Sequence, residues 1–461
     1  MRKPEYEFSA AALAAVLFDG LRPPTGTRFK LAYSGGLDSH VLLHALAALR
    51  KQYSFALSAI YIDHGVQAVA VAWGEHCARQ CAQLSVDFVS ERIQVQAVNE
   101  QGFEAAARQA RYAALQAALA PGEILLTAHH RNDQAETVLL QLLRGAGVMG
   151  MAAMPMRTIF GVGELVRPLL GFTRAALLAY ATQHRLHWIE DPSNQELHLR
   201  RNFLRAEILP RLASLWPEVD GMLARTARHA TEALELLDEI AIQDLSSCRH
   251  TAQYFPHALS VAAVSGLSAS HQRNLLSYWL RQQGLRVPAT RILNEVVMQL
   301  RHTPRSQHAC VDWPDAQIWR YRDLLVAVPR QPEPKEDMDV LWDLHTPIEV
   351  PGVGRLRAQP VRGQGLSTVR LRDGLHVRLR RGGETLQLPG RRHHHMLKKL
   401  LQAEGVAPWL RSRLPLFYAG ESLAAVADRW VCTPYAAHGD EEGLAVIWEP
   451  VIGCAENRNI G

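Results

Sequence analysis

The sequence predicts an α/β fold: a parallel sheet with helices on both faces, followed by a mainly helical region and a small α+β region. Three observations predict it. Between residues 29 and 128, short apolar runs alternate with segments whose apolar residues recur at helical spacing. A strand-like run then ends in a Ser-Gly-Gly turn that opens a helix at Leu37 and Asp38. Beyond a proline-rich, charged stretch from Pro329 the pattern changes to short strands.

In chain order, the reading begins with an amphipathic helix over Ala10 to Phe18, because Glu5 and Glu7 break the charged start that a signal peptide would show. Strands follow at Phe29 to Ala32, Ala56 to Ile62, Val86 to Val89 and Ile124 to Thr127. Helices lie between them at Asp38 to Lys51, Val71 to Leu84 and Glu104 to Leu119. In such open sheets ligands sit beyond the carboxyl ends of the strands, so the strand-to-helix turns are where chemistry is expected. A helix near Thr173 to His184 and an Arg-rich run at Arg200 to Arg205 complete a first domain, residues 1–215. A second, 216–330, carries helical patterns at Val219 to Leu245, His271 to Gln283 and Ala289 to Leu300, with strands near Gln317 to Val328. A third, 338–461, has short strands and one helix around His394 to Ala403.

Composition excludes several classes. With 48% apolar and 21% charged residues, the chain is neither disordered nor fibrous. No run of 18 apolar residues reads as a membrane span. The six cysteines contain no CxxC pair and no zinc spacing, which excludes a disulfide framework and points to the cytoplasm. Nothing in the sequence sets the oligomeric state, and a homodimer is compatible with it.

The sharpest feature is Ser34-Gly35-Gly36-Leu37-Asp38-Ser39. The glycines let the backbone approach a ligand, the serine hydroxyls can donate, and a helix N-terminus presents N–H groups to an anion. The loop is a phosphate cradle without the Lys of a GxxxxGK[ST] loop. Asp133 and Glu136 have capping-box spacing at a helix start, so a capping role competes with a chemical one. Both carboxylates and His129 come to the same sheet edge as the loop, where carboxylates can hold Mg²⁺ or an ammonium group. Arg108 and Arg111 share a helix face, and Arg205 follows later; each reads as surface, or as a paired N–H donor for carboxylate or phosphate. Cys77 and Cys81, four apart, read as helix-face core rather than a thiol relay.

The loop closely resembles the pyrophosphate-binding loop of the N-type ATP pyrophosphatases, the PP-loop family. Asp63-His64-Gly65, Glu104 to Tyr112, His129 to Thr137, Leu143 to Gly150, Glu190 to Asn194 and Arg201 to Arg205 follow in an order similar to one branch of it, the tRNA(Ile)-lysidine synthases. The resemblance implies a Rossmann-like, adenine nucleotide alpha hydrolase-like fold. It also implies an ATP-dependent ligase that adenylates the wobble cytidine of tRNA(Ile) and joins L-lysine to it. On that footing Asp38 assists Mg²⁺ and the triphosphate, with Asp133 as a second metal ligand; Asp63 and His64 border the adenosine; His129, Asp133 and Glu136 engage lysine; and Arg108, Arg111 and Arg205 meet lysine or pyrophosphate. Asn132 stands where the family often has Asp. Within the same family a tRNA thiolase or an amidotransferase using ammonia lacks support, for want of a CxxC pair and of a glutaminase-like cysteine; an RNA-binding protein with a vestigial loop is opposed by Ser34, Asp38 and Ser39.

From Val361 to Arg413 there are 12 Lys or Arg against 3 acids, a local balance of +9 in a chain of net charge +5. That density, with His393 to His395 and Trp409 beside it, reads as an RNA-phosphate surface centred on Arg391, Arg392, Lys398 and Lys399, in preference to a metal tract.

Overall fold

The structure is a computed structural model that describes residues 7–63, 70–94, 103–192, 196–252, 255–302, 309–330, 334–335, 337–371, 374–391 and 393–450. His64 and Arg392 lie outside the described residues. The chain divides into two compact units, residues 1–236 and 237–461.

The first unit is built on strands β1 (Arg28–Ala32), β2 (Ala56–Asp63), β3 (Asp87–Arg92), β4 (Ile124–Leu126), β5 (Arg157–Phe160) and β6 (Gly163–Val166), in the order β3-β2-β1-β4-β6-β5. All neighbours are parallel except the β5–β6 edge hairpin. Its helices include α1 (Ala10–Ala14), α2 (Leu37–Leu49), α3 (Ala70–Gln83), α4 (Phe103–Ala117), α5 (Arg131–Leu143), α6 (Val148–Met151), α7 (Arg174–Gln183) and α8 (Arg200–Phe203). Successive strand residues point to opposite faces, and the two resulting cores show it. Leu31, Leu126 and Val166 pack with Leu13, Leu42, Cys81 and Leu177 on one face, whereas Ile60, Leu125 and Leu165 pack with Leu115 and Leu119 on the other. Helices α1, α2, α3 and α7 therefore cover one face and α4 the other. From β1 the chain moves outward to β2 and β3, then returns to place β4 on the opposite side of β1. The crevice at this reversal opens at the carboxyl ends of β1 and β4.

The periodic strands and helices of the first unit lie where the sequence places them, within a few residues. The β5–β6 hairpin was not anticipated; its two-residue turn at Gly161 (φ +62°) and Val162 is short, and Ile159 faces solvent, so the apolar run is broken.

In the second unit the helices Ala269–Gln282 and Thr290–His302 pack on a five-stranded antiparallel sheet. The last region adds a five-stranded and a four-stranded sheet and a helix, Leu397–Ala403. That helix starts three residues later than expected, because His395–Met396 instead pairs as a strand with Thr385–Leu386. Trp409 is buried and stacks on Trp319 at 4.8 Å, so it belongs to the core and not to the RNA surface expected of it.

Helix α2 also carries a buried histidine. His40 is 2% exposed, with its Nδ1 2.7 Å from the Tyr33 hydroxyl. Burial, and then the nearby His76, His44 and His187, push its imidazolium down to about 4. The unfolded chain takes up this proton near pH ~6.5 and the folded chain resists it until about 4, so stability is full above that range and falls through it by about 3 kcal/mol. Burial lowers His44 and His76 in the same direction. Denaturant titrations at pH 7, 6 and 5 should show this decline, and His40→Gln should flatten it; a stability independent of pH across that range would contradict it.

Candidate active site

Strand β1 delivers its carboxyl end to the Ser34-Gly35-Gly36 turn, and Gly36 N-caps α2 with extended backbone. Gly35 has φ +78°, and a Cβ there would stand 2.7 Å from Ile189 Cδ1 and 2.9 Å from Cys77 Sγ. The position accepts only glycine, both for its left-handed backbone and for want of space. The Ile189 N–H donates to the Gly35 carbonyl at 2.9 Å and pins the turn from below. The Ser39 hydroxyl donates to the Gly36 carbonyl and lies 3.1 Å from the Ser34 hydroxyl. The first helical bond of α2 runs from His40 N–H to Gly36 O, which leaves the N–H groups of Leu37, Asp38 and Ser39 directed out of the helix end, as at any helix start.

Asp38 follows on the first turn of α2. Its Oδ1 is buried and has no hydrogen-bond partner among the described residues, and its Oδ2 lies 3.6 Å from His130 Nε2. Asp63 closes β2, largely buried, with its Oδ2 3.8 Å from Arg92 Nε.

Across the crevice, β4 runs into Thr127 and then α5. The capping interaction differs from the sequence reading. His130, not Asn132 or Asp133, is the N-cap: the Asp133 N–H donates to His130 Nδ1 at 3.4 Å and the His130 N–H donates to Asp133 Oδ2 at 3.0 Å. Asn132 instead accepts the Arg174 N–H at the start of α7. Glu136, one turn in, caps nothing. It is 0% exposed and receives Arg201 Nε on Oε2 and Arg205 Nε on Oε1, both at 2.6 Å. The Nη2 of each arginine also donates to Asp133 Oδ1, at 3.0 Å from Arg201 and 3.1 Å from Arg205. Two carboxylates and two guanidinium groups thus form one neutral, mostly buried cluster. Each arginine uses its Nε and Nη2 edge in these bonds.

The surroundings set the charges. Burial alone would raise the Asp133 carboxyl, but His130 and Arg201 hold it below the usual carboxylate range. Burial opposes the charge on Arg205, and Glu136 and Asp133 outweigh it, keeping this guanidinium above its usual value. The His129 ring lies 2.9 Å from the Thr127 hydroxyl. Burial, with Arg167, Arg201 and Arg108 overcoming the pull of Asp133, pushes its imidazolium down to about 3, so it works as a neutral ring. Cys77 and Cys81 are fully buried, and burial pushes both thiols up to about 12. They are inert packing, as their spacing suggests.

The loop residues Ser34, Gly35, Gly36, Leu37, Asp38 and Ser39 therefore stand beside His129, Asp133 and Arg205, joined by the approach of Asp38 to His130, with Glu136 enclosed behind the arginines it holds. Arg108 and Arg111 flank Tyr112 on α4, their guanidinium carbons 5.4 and 5.9 Å from its ring centre. Burial and the like charges of Arg108 and Arg201 lower Arg111 against the pull of Tyr112. Three participants were missed. In the sequence Arg201 stands only as one of an Arg-rich run, yet it binds both carboxylates. Nothing in the sequence marks His130 as the helix cap. Arg167, 8% exposed at the end of β6, donates to the Pro155 carbonyl at 2.7 Å; burial lowers it, and a bond to the Tyr112 phenol supports its charge. In the second unit Arg391, Lys398 and Lys399 are exposed and none of them takes part in an ion pair among the described residues.

Comparison with known proteins fits this arrangement. A model described as the PP-loop domain matches residues 10–212; models of the TilS substrate binding domain and the TilS substrate C-terminal domain match 259–326 and 375–448. The tRNA(Ile)-lysidine synthase of Methylococcus capsulatus is 40% identical over 94% of this chain and 98% of its own. Those of Coxiella burnetii and Alkalilimnicola ehrlichii are 39% and 42% identical, each over 92% of this chain and 94% of its own. A solved U34-tRNA thiolase, NcsA from Methanococcus maripaludis, aligns with 48% of this chain and 78% of its own at 16% identity and TM-score 0.40. A loop that only glycine can form, facing a buried carboxylate–arginine cluster, and relatives matched nearly end to end agree: the chain belongs to the tRNA(Ile)-lysidine synthase family.

Proposed function

We propose that this ATP-dependent ligase joins L-lysine to position 2 of the wobble cytidine of tRNA(Ile) with a CAU anticodon, through an adenylated tRNA, releasing pyrophosphate and AMP. The observation that carries the reading is that Asp38 of the Ser-Gly-Gly loop comes within 3.6 Å of His130, which is bonded to Asp133 of the Asp133–Glu136–Arg201–Arg205 cluster, so loop and cluster stand side by side at one sheet edge. A two-step reaction needs a phosphate cradle and an amine-handling wall within reach of one intermediate.

In the first step the cytosine O2 attacks the α-phosphate of ATP. The Ser34 and Ser39 hydroxyls and the N–H groups at the start of α2 receive the departing pyrophosphate, with Gly35 and Gly36 letting it approach the backbone. Arg108 and Arg111 supply positive charge from α4, and Asp63 borders the adenosine. In the second step the lysine amine displaces AMP. Neutral His129 can accept a hydrogen bond from the amine. Asp133 retains some exposure and can meet an ammonium group, whereas Glu136, fully enclosed, acts through the arginines it holds. Their outer edges then face the lysine carboxylate or the phosphate.

Mg²⁺ fits this site at Asp38, whose buried Oδ1 is unclaimed among the described residues; Asp133 could join only by releasing one of the bonds that occupy both of its oxygens. When bound, the ion would offset charge on the triphosphate.

Residues 1–215 form the catalytic domain in this reading, and 216–330 and 338–461 bind tRNA. Arg391, Lys398 and Lys399 meet phosphates; the partly enclosed Arg378 is instead engaged by Asp339 and Glu421, and Arg380 by Glu384. Replacing Arg391, Lys398 and Lys399 together by Glu should raise the tRNA KM and reduce the salt slope of binding by about one unit per lost contact; an unchanged slope would make this face ordinary solvated surface. Among the described residues no helix is long and apolar enough to cross a membrane, and the reading sets the enzyme in the cytoplasm with its tRNA. The thiolase alternative is disfavoured by the inert Cys77 and Cys81. Mass spectrometry of tRNA after incubation with ATP and each amino acid in turn tests the reading: only lysine should add mass to the CAU-anticodon tRNA(Ile).

A further inference from the structure

His130 is 1% exposed and sits between the two walls of the crevice. Its Nδ1 accepts the Asp133 N–H. An imidazole nitrogen that accepts a hydrogen bond carries no proton, so in the neutral ring the proton is on Nε2. That nitrogen faces two carboxylates, Asp38 Oδ2 at 3.6 Å and Asp133 Oδ2 at 3.4 Å. Asp133 already has the His130 and arginine donors, while Asp38 Oδ1 is bonded to nothing among the described residues. The carboxylate that most needs a donor is Asp38, and His130 Nε2–H is the side-chain donor beside it.

We propose that His130 is a positioning residue with two separable roles: its Nδ1 caps α5, and its Nε2–H holds Asp38 in the orientation the adenylation step uses. The cap anchors the imidazole to the lysine-side wall, so the same ring sets the nucleotide-side carboxylate relative to it. Contacts of this length shorten when a site fills, and a shift of well under 1 Å makes the Nε2–H to Asp38 contact a full hydrogen bond. The proposal rests on the reading that Asp38 serves ATP.

Two conservative variants divide the roles. In His130→Asn the side-chain oxygen stands near the place of Nδ1 and can cap, but no atom reaches the place of Nε2. In His130→Gln the amide nitrogen reaches the Nε2 place and the cap is lost. The expected result is a crossover. His130→Asn should melt close to wild type but form AMP on the order of tenfold to a hundredfold more slowly, in kcat more than in the lysine KM. His130→Gln should melt a few degrees lower and keep AMP formation within about threefold. In an Asp38→Ala background His130→Asn should cause no further loss, since a residue that acts through Asp38 has nothing left to position. Wild-type AMP formation in His130→Asn, or a further full-sized loss in the Asp38→Ala background, would overturn the proposal. The two failures are distinguishable: if Asp38→Ala itself forms AMP normally, the reading of Asp38 fails; if Asp38→Ala is inactive and His130→Asn is not, only the positioning role fails.

Discussion

Asp38→Ala is expected to lower AMP formation by on the order of a thousandfold while tRNA affinity stays within about twofold. Asp38 is on the first turn of α2, four residues after Ser34, and its buried Oδ1 is the unclaimed carboxylate oxygen of the loop. Charge organised where a phosphate reacts is worth several kcal/mol, which sets the size of the loss. The basic residues Arg391, Lys398 and Lys399 lie in the other compact unit, so they keep their charge and exposure. Discharging a radiolabelled ATP in the presence of tRNA and lysine, with filter binding of the same tRNA, measures both quantities. Normal AMP formation would remove the loop from the chemistry; a parallel collapse of tRNA binding would show that Asp38 supports the fold.

The second large effect concerns Glu136. Its two oxygens receive both arginine Nε groups, and its side chain has no exposed surface. Glu136→Ala leaves two guanidinium groups without their main partner in a buried site, a change that costs about 3–5 kcal/mol of stability. Glu136→Gln keeps the volume and one acceptor but removes the charge. Loss of a charge-assisted bond here corresponds to about 2–3 kcal/mol, or on the order of a hundredfold in lysine-dependent turnover. Arg201→Ala should resemble Glu136→Gln, and combining them should cost less than the sum because they share one contact. Urea titrations and initial rates at saturating ATP provide the numbers. Full additivity would mean that the two residues act independently.

The phosphate loop was legible because everything that defines it is local: a strand, two glycines, an N-terminal helix turn and an acid fall within residues 30–40. The alternation of strands and helices also fixed which residues reach the crevice. Long-range partnership was not legible. Arg201 binds Glu136 from 65 positions away, and an arginine in a run of arginines carries no sequence sign of a buried partner. The spacing of Asp133 and Glu136 suggested a cap between them, but the true cap, His130, is three residues earlier and is a residue type seldom expected there. Arg167 depended on the unanticipated β5–β6 hairpin, which sets β6 beside β4. Trp409 was misplaced because it lies in a strongly basic stretch; charge density describes the surface of that stretch and says nothing about the side chain that faces Trp319.

If one site runs both chemical steps, with the loop serving the first and the α5–arginine cluster the second, disabling the amine side leaves adenylation intact. Single-turnover kinetics on Asp133→Asn, following adenylated tRNA and lysine-modified tRNA separately, tests it most directly. The account predicts that adenylated tRNA forms at close to the wild-type rate and accumulates, while lysine transfer slows on the order of a hundredfold. Equal slowing of both steps would contradict it, and would place Asp133 with the nucleotide instead of the amine.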